Sequence, residues 1–538
     1  SKNGVTRVNV SYIDTAQSFL ALFITGCNGN DAETTDAAAT DADGEAVETT
    51  DGADGEATAG AEEIIVGQGA DPVTLDPHGQ NDQSSSRVRV QIFDTLLEQD
   101  KELEFQPALA ESWEQIDDLT WEFKLREGVT FHNGEEFDAD DVIYSLNRAI
   151  ESPSTGHIVN MINPDGFEVV DPHTLRISTN EPFGPFLAHL AHPAASNTNQ
   201  EAVEESGDQV DVQPVGTGPY KLQDWARGDR VTLERYEDYW GDLAKTPRIV
   251  FRNIAENANR TIELETGGIH LAYDILPNDI SKVEGNDDLQ LFREPNFSTT
   301  YVGFNCEKEP LNDPLVRQAI NHAINMDEVV EAVYFGTGAK AAGPLGPNVT
   351  FANQDLEPYE YNPERARELL AEAGYPDGFE TTIWTNDNKI RMDIAEIMQN
   401  QLREVGITAT PEVLEWGAYL SQTAEGEHDM FILGWVSVTG DADYGLYPLF
   451  HSSQFGDAGN RTFYANDEVD QLLETGRTAT DDAEREAAYM EAQEIIRDEA
   501  PWIFTWTGED LTGGSAKISG FELHPAGHYR LKDVTLSE

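Results

Sequence analysis

Residues 107–146 read PALAESWEQIDDLTWEFKLREGVTFHNGEEFDADDVIYSL, and this stretch predicts two kinds of structure in succession. Trp121, Phe123 and Leu125 alternate with polar residues, which is typical of a strand that buries one face. Asp138 is placed to cap a helix that continues through the end of the stretch, and the acidic residues after it favour a helix N-terminus. A β-rich segment followed by a well-capped helix indicates a domain that mixes α and β structure.

The rest of the chain alternates predicted strands and helices. A strand at 64–66 precedes a helix predicted over 84–97. In the second half, Asp313-Pro314 and Asn362-Pro363 each pair a capping residue with a first-turn proline, so each predicts the start of a helix. This alternation predicts α/β layers. One more helix is predicted at 394–405, and the remaining strands at 175–177, 231–233, 381–384, 407–410, 430–435 and 501–506.

The chain is strongly acidic. Its 538 residues include 100 Asp plus Glu against 34 Lys plus Arg, which gives a formal net charge of −66. Phosphate binding needs basic patches, so this balance excludes nucleic acid as a partner. An acidic surface could serve a cationic ligand. Because the acidic residues are spread along the whole chain, a general adaptation to concentrated salt is the favoured interpretation.

The net charge predicts that the protein needs salt to stay folded. Repulsion within a chain of charge −66 destabilises a compact fold in dilute buffer, and concentrated salt screens that repulsion. We expect the midpoint of thermal unfolding, followed by circular dichroism, to fall steeply as NaCl is diluted from molar to millimolar concentrations. A midpoint that does not change with salt would contradict the halophilic interpretation.

The N-terminal part of the sequence predicts a lipid-anchored tether. Cys27 follows Ile-Thr-Gly and a short apolar run, a pattern that resembles a lipobox, so residues 1–27 are interpreted as a signal peptide that ends in a lipidated cysteine. Residues 28–62 are rich in Asp, Glu, Ala, Thr and Gly and predict an extended, disordered acidic tether. No apolar stretch is long enough to predict an ordinary membrane-spanning helix.

The sequence lacks the common catalytic patterns. It contains no Gly-x-Ser-x-Gly, no His-Glu-x-x-His, no Gly-x-x-x-x-Gly-Lys-Ser/Thr and no Cys-x-x-Cys. The histidines are scattered and predict no metal site. Cys306, in a predicted strand, is interpreted as a buried structural thiol. We therefore expect a protein that is not an enzyme and that uses no cofactor and no metal.

The stretch at 107–146 closely resembles the defining segment of the family 5 extracellular solute-binding proteins, the dipeptide, oligopeptide and nickel group. The resemblance extends from about Glu63 to the C-terminus. It is specific because several modest matches follow one another in the expected order. The other matching segments are 75–78, 216–220, 239–241, 304–305, 310–311, 316–320 and 434–435 with 440–444.

Most of the matching residues are interpreted as structural rather than ligand-binding. Trp113 and Trp121 are expected in the core, where aromatic side chains are common. Gly216 and Gly218 are expected to give the backbone conformational freedom beside Pro219.

The resemblance implies an α/β fold of two lobes, the clamshell of periplasmic binding proteins of the class II type with an extra inserted domain. Hinge closure between the lobes would enclose the ligand. The expected division is domain I at 63–107, 214–300 and 506–538, domain II at 108–213, and domain III at 301–505.

The resemblance also implies a function. The protein would capture a small peptide outside the cell and deliver it to the permease and ATPase of an ABC importer, as a monomeric lipoprotein of haloarchaeal type held on the outer face of the membrane. Binding of another solute on the same fold is the first alternative: glutathione, a nickel chelate, haem or an oligosaccharide. A surface-tethered hydrolase is the alternative from another class, and the missing catalytic motifs speak against it.

Candidate ligand-binding residues come from the same resemblance. In peptide binders of this family a carboxylate shortly after a tryptophan holds the ligand amine, which implies Asp441 or Asp443 here. The sequence does not choose between them. An arginine would hold the ligand carboxylate, and aromatic side chains would form apolar walls. The residues expected in these two roles are Arg391 and Arg461, and Trp384, Trp416 and Trp435.

Overall fold

One mixed sheet runs through the molecule and carries two lobes. The computed structural model describes residues 60–538, and Cys27 with nearly all of the acidic tether lies outside the described residues. The N-terminal half contains β1 (Glu63–Gln68), α1 (Gln83–Arg89), β2 (Leu97–Gln99), β3 (Phe105–Pro107), β4 (Ala110–Gln115), β5 (Thr120–Leu125), α2 (Ala139–Glu151), α3 (Gly156–Val159), β6 (Ile162–Asp171), β7 (Thr174–Thr179), α4 (Phe186–Leu190), α5 (Gln200–Ser206), β8 (Tyr220–Ala226), β9 (Arg230–Arg235), β10 (Arg248–Asn253), α6 (Asn257–Thr266), β11 (Leu271–Tyr273) and α7 (Ile280–Glu284).

The C-terminal half begins with a long strand that leads into the second lobe. It contains β12 (Leu289–Phe304), α8 (Pro314–Ala323), α9 (Met326–Tyr334), β13 (Ala339–Lys340), α10 (Pro363–Glu372), β14 (Glu380–Asn386), α11 (Lys389–Arg403), β15 (Thr408–Leu414), α12 (Trp416–Ala424), β16 (Met430–Val436), α13 (Ala442–Phe450), α14 (Asp467–Thr478), α15 (Asp482–Glu499), β17 (Trp502–Ser515), β18 (Ile518–Ser519) and β19 (Thr535–Leu536).

The order of strands in the large sheet is β15-β14-β16-β12-β17-β11-β1-β10-β9-β8, with β13 added beside β17. The two central strands, β12 and β17, are antiparallel and pair along nearly their whole lengths. β12 also pairs with β16, and the far end of β17 pairs with β11. We call the part built on β1 and β8–β11 lobe 1, and the part built on β13–β16 with α8–α15 lobe 2. The two central strands therefore connect the lobes.

Lobe 1 carries an inserted unit, defined here as β4–β7 with α2–α5. Its four-stranded antiparallel sheet has the order β4-β5-β7-β6 and its own apolar core. Arg148 of α2 donates hydrogen bonds of 2.5 and 2.7 Å to the Asp76 carboxylate and so fastens the unit to lobe 1. The two-lobed α/β fold with an added small sheet confirms the predicted fold class.

Local sequence signals fixed several elements correctly. Asp138 caps α2 through a capping box with Asp141, and the proline-initiated helices α8 and α10 begin where they were expected. Trp113 and Trp121 are partly buried against the core of the inserted unit. Cys306 is a free thiol that is partly exposed, and burial of its sulfur raises its pKa to about 11.

The helix predicted over 84–97 is wrong beyond its first turns. α1 ends at Arg89, and the chain then follows an irregular buried path. The carbonyl of Ile92 accepts a hydrogen bond from the Gly218 amide at 2.8 Å, and the carbonyl of Gln91 accepts one from the Tyr220 amide at 3.1 Å. These acceptors are therefore used by a distant segment instead of by a helix.

The expectation that Gly216 and Gly218 supply backbone freedom is also wrong. Neither has a positive φ. A Cβ on Gly216 would lie 2.2 Å from the Ile92 carbonyl oxygen, and one on Gly218 would lie 2.5 Å from the Ile92 carbonyl carbon. Glycine is needed because the two backbone segments approach too closely for any side chain.

Asp94 lies at this junction and makes the folding stability of the protein depend on pH. Its buried carboxylate accepts hydrogen bonds from Thr217 at 2.8 Å and from the Trp240 indole at 2.9 Å. Burial raises the pKa of Asp94 to about 6. Because that value lies above the pKa of the unfolded chain, the folded state holds the proton more tightly, and stability is lost as the pH rises from about 4 to about 6.

We expect Asp94→Asn to remove this loss of folding stability at higher pH. Between pH 4.5 and pH 7.5 the stability of the variant relative to the wild type should improve by about 2 kcal/mol. Guanidinium unfolding at both pH values and one fixed salt concentration measures the difference. Equal differences at the two pH values would show that Asp94 does not titrate in this range.

Candidate ligand-binding cleft

A cavity of about 1100 Å³ lies between the inserted unit of lobe 1 and the α13–α14 region of lobe 2. Both polar and apolar groups line it. From lobe 1 its walls are formed by 150–153, 156–157, 160–161, 180–183 and His189, and from lobe 2 by Trp435, 443–444, Pro448, Gln454, 457–458 and 477–478.

The lobes touch at one edge of this cavity. The Gly184 amide donates a 2.6 Å hydrogen bond to the Arg477 carbonyl across the cleft. The Arg477 guanidinium lies 5.7 Å from the centre of the Phe183 ring, and Val438 of lobe 2 packs against the core of the inserted unit. The two lobes are thus in direct contact at this edge of the cavity.

The Asp441 side chain is buried in the interior of lobe 2. It caps α13 by accepting the Asp443 amide at 2.9 Å. Its carboxylate forms a two-point ion pair with Arg485, with N–O distances of 2.7 and 3.0 Å, and both side chains are at least nine-tenths buried. Asp441 does not contribute to the cavity wall.

Asp443 faces the cavity. Its carboxylate accepts hydrogen bonds from Nε and Nη2 of Arg477 at 2.9 and 3.1 Å, and its side chain is 1% exposed. Each carboxylate oxygen has two lone pairs, so Asp443 can accept further hydrogen bonds from a ligand. Arg477 also lies over the Tyr447 ring at 3.6 Å, which fixes the position of the pair.

Trp435 is the one predicted aromatic wall residue that lines the cavity. Its indole donates to the Tyr444 carbonyl at 2.9 Å, and its ring lies beside the Tyr444 ring. Trp384 is buried in lobe 2 against β16, and Trp416 packs on Tyr419. Neither of these two rings reaches the cavity wall.

The two predicted arginines lie inside lobe 2. Arg391 donates to the Asn386 side chain at 3.2 Å and lies 5.8 Å from the Trp416 ring. Arg461 donates to Thr423 at 3.1 Å. Both residues are 2% exposed and contribute nothing to the cavity wall.

Arg477 and His189 are among the cleft residues that the sequence did not predict. Arg477 sits on α14, and only the fold brings it next to Asp443. His189 on α4 lines the same cavity and donates from Nδ1 to the Ile158 carbonyl at 2.7 Å. Burial lowers the pKa of His189, so its ring is neutral at neutral pH. No local sequence signal identifies either residue.

A second cavity of about 210 Å³ also borders the segment that carries His189. It is formed by the end of β2 with the turn after it (98–102), by Ala188 and 191–193, by residues of the C-terminal segment 522–530, and by Val438 of lobe 2. Its walls carry three histidines, two basic side chains and four carboxylates. These are His192, His524, His528, Lys101, Arg530, Glu98, Asp100, Glu102 and Glu522.

Two negative findings apply to residues 60–538. No group of three or more His, Cys, Asp or Glu side chains is arranged to hold a metal ion there. No helix in that range is long and apolar enough to cross a membrane.

Comparison with known proteins identifies the family. Residues 104–457 match the model of the bacterial extracellular solute-binding proteins, family 5. The chain is 35% identical over 486 residues to the glutathione-binding protein GsiB of Escherichia coli O1:K1, covering 88% of this chain and 95% of the relative.

Solved structures are also similar to this chain, in both sequence and fold. The periplasmic binding protein DppA of Helicobacter pylori, in complex with the peptide STSA, is 32% identical with a TM-score of 0.72, covering 88% of this chain and 98% of that one. HbpA2 of Haemophilus parasuis is 29% identical with a TM-score of 0.82, covering 88% and 100%. The family match spans most of the chain, and the fold agrees with it. The chain therefore belongs to the family 5 extracellular solute-binding proteins.

Proposed function

We propose that the protein is the extracellular substrate-binding component of an ABC importer and that it captures short peptides. The observation that carries this proposal is the cavity of about 1100 Å³ between two touching lobes, with the Asp443 carboxylate in its wall. Ligand pockets for small molecules are commonly about 300–1,000 Å³, so there is room for a ligand of several residues with bridging water.

The chemistry of the cavity suits a peptide. A peptide amine needs a desolvated carboxylate, and Asp443 supplies one whose position Arg477 fixes. Trp435, Tyr444 and Phe183 offer apolar surface for side chains of different shape. Asp443 is therefore the better candidate for the amine anchor, because the Asp441 carboxylate is used within lobe 2.

Glutathione is the second candidate ligand, because the relative at 35% identity is a glutathione-binding protein. Glutathione is a tripeptide that carries two carboxylates and one amine. The charged residues of the cavity wall are Glu151, Glu181, Asp443, Asp457 and Arg477, and Arg477 is already paired with Asp443. This excess of acids favours a peptide without a second carboxylate.

The remaining parts of the proposal rest on the sequence. The protein would be monomeric and would be held on the outer face of the membrane by lipid on Cys27. It would deliver ligand to a permease and an ATPase, with domain I at 63–107, 214–300 and 506–538, domain II at 108–213 and domain III at 301–505. It would not be an enzyme, and peptide incubated with it should be recovered intact.

Native mass spectrometry of protein purified gently in high salt tests the ligand class. We expect a set of short peptides to be released on denaturation. Release of glutathione alone would replace the peptide proposal with the second candidate. Release of a metal chelate, haem or a sugar would overturn both.

Asp443→Asn tests the anchor. Loss of a charge-assisted hydrogen bond should weaken binding of a peptide with a free amine by about 10- to 100-fold, measured by calorimetry on folded protein. Asp387→Asn, an exposed aspartate of lobe 2 outside both cavities, is the matched control. Wild-type affinity in Asp443→Asn would remove this residue from the anchor role.

A further inference from the structure

The tip of the β2–β3 hairpin carries a leucine in a backbone conformation that favours glycine. The Leu103 amide donates to the Asp100 carbonyl at 2.9 Å, and the Asp100 amide donates to the Glu104 carbonyl at 3.0 Å, so a short loop joins the two strands. Leu103 has a φ of +65°, in the left-handed region. Hairpin loops of this kind normally place glycine there, because a side chain crowds the neighbouring carbonyl oxygen. The hairpin itself therefore gives no reason for leucine at this position.

The Leu103 side chain is used by the other lobe. The hairpin belongs to the side of lobe 1, since Leu97 lies in the core of the inserted unit. Leu103 is half-buried and packs against the apolar core of lobe 2. Its Cδ1 lies 3.4 Å from the position that a Cβ on Gly440 would occupy, so the side chain reaches the backbone of lobe 2. A strained residue of one lobe thus makes a contact with the other lobe.

Gly440 belongs to a short segment of lobe 2 that lobe 1 contacts twice. We call residues 437–440 the interlobe loop. Val438 of this loop packs against the core of the inserted unit, while Gly440 lies beside Leu103. Each lobe therefore places one apolar side chain against the core of the other.

The interlobe loop connects two residues of the ligand-binding cleft. It follows β16, which carries Trp435, and it leads into α13, whose second residue is Asp443. The Gly440 amide donates to the Ser437 carbonyl at 2.8 Å, and the Ser437 amide donates to the Phe297 carbonyl of β12 at 3.1 Å. Because the loop is tied to itself and to a central strand, a displacement of the loop would also move the start of α13 and the Asp443 carboxylate.

We propose that Leu103 is a positioning residue for ligand capture: by packing beside Gly440 it holds the interlobe loop, and through it Asp443, against lobe 1. This inference rests on the proposed function, in which the ligand binds between the lobes. The left-handed backbone at Leu103 opposes the folding of lobe 1, while the side chain favours contact between the lobes. Folding stability and ligand affinity should therefore respond differently to changes at this residue.

Leu103→Gly and Leu103→Ala separate the backbone from the side chain. Both remove the contact with lobe 2, so we expect both to weaken binding of the peptide STSA to a similar extent, by about 3- to 30-fold. Only glycine relieves the left-handed strain, so the midpoint of thermal unfolding of Leu103→Gly should lie about 1–2 °C above that of Leu103→Ala. Calorimetry measures the affinities, and circular dichroism at the same salt concentration measures the midpoints.

Phe335→Gly is the matched control. Phe335 also has a left-handed backbone, with a φ of +52°, but it follows the last residue of α9 in lobe 2 and is 59% exposed. It lines neither cavity. This variant should change the unfolding midpoint and leave the affinity for STSA unchanged.

Wild-type affinity in both Leu103 variants would overturn the proposal, because it would show that capture does not need the contact. A larger affinity loss in Leu103→Ala than in Leu103→Gly would also overturn it, because affinity would then follow folding stability.

A failure of the proposed function gives a different result. If the wild type binds neither STSA nor glutathione, the proposed function fails, and small-angle X-ray scattering of the ligand-free proteins decides the role of Leu103. A larger radius of gyration for Leu103→Gly than for the wild type would support an interlobe contact held by this residue. Equal values would overturn it.

Discussion

Alanine at position 184 should weaken ligand binding by about 10- to 100-fold while both lobes stay folded, because overpacking of a close contact typically costs about 1–3 kcal/mol. A Cβ on Gly184 would lie 2.5 Å from the Ala479 carbonyl oxygen and 2.5 Å from Nε of Arg485. The first is backbone, and the second belongs to a buried ion pair, so neither moves easily.

The penalty falls on the closed arrangement alone. Gly184 does not have a positive φ, so alanine is compatible with the backbone of lobe 1. The atoms it would meet belong to lobe 2. A ligand that binds only the closed form has an apparent Kd equal to its intrinsic Kd divided by the closed fraction of the protein. A smaller closed fraction therefore weakens binding.

Calorimetry measures the loss, and small-angle X-ray scattering at saturating ligand measures the closure. The radius of gyration of Gly184→Ala should stay nearer its ligand-free value than that of the wild type. Gly417→Ala is the matched control, since its added Cβ meets only the Glu415 side chain, at 3.2 Å, and no atom of lobe 1. Unchanged affinity and compaction in Gly184→Ala would show that this contact does not limit closure.

Asp441→Asn should destabilise the protein by about 3–5 kcal/mol, because it leaves the buried Arg485 guanidinium without its counter-charge. Arg485 also donates to the Gly476 carbonyl at 2.7 Å, so the pair ties the start of α13 to α14 and α15. Denaturant unfolding at constant salt measures the loss.

A double-mutant cycle isolates the pair. Asp441→Asn combined with Arg485→Gln should be less destabilised than the sum of the single variants, because it no longer leaves one charge buried alone. Loss of peptide affinity in folded Asp441→Asn, at wild-type stability, would instead return Asp441 to the anchor role.

Local signals predicted the elements whose boundaries are set locally. The capping box at Asp138 and the prolines at 314 and 363 act within one helical turn, so they can be read from the sequence. The end of α1 could not be read, because it depends on hydrogen bonds from residues 218 and 220 to carbonyls at 91 and 92. The glycines at 216 and 218 belong to the same junction and were misread for the same reason.

The site was predicted only as far as the family segment reaches. Asp443 and Trp435 belong to that segment and line the cavity. Arg391 and Arg461 were predicted to hold the ligand carboxylate, but both lie inside lobe 2. The sequence does not say whether a side chain points into the lobe or into the cleft. Arg477 is paired with Asp443, 34 positions away in the sequence, and composition or spacing cannot show such a pair.

The two central strands β12 and β17 also affect the order in which the chain folds. Val302 pairs with Ile503, and Leu271 pairs with Gly514, so each lobe's sheet contains a strand from near the C-terminus. Neither sheet can be completed until almost the whole chain is present, and contacts between such distant residues form slowly. A chain that ends before β17 would leave one edge of β11 and one edge of β12 without a partner strand. The two lobes therefore complete their folding together and late, rather than one after the other.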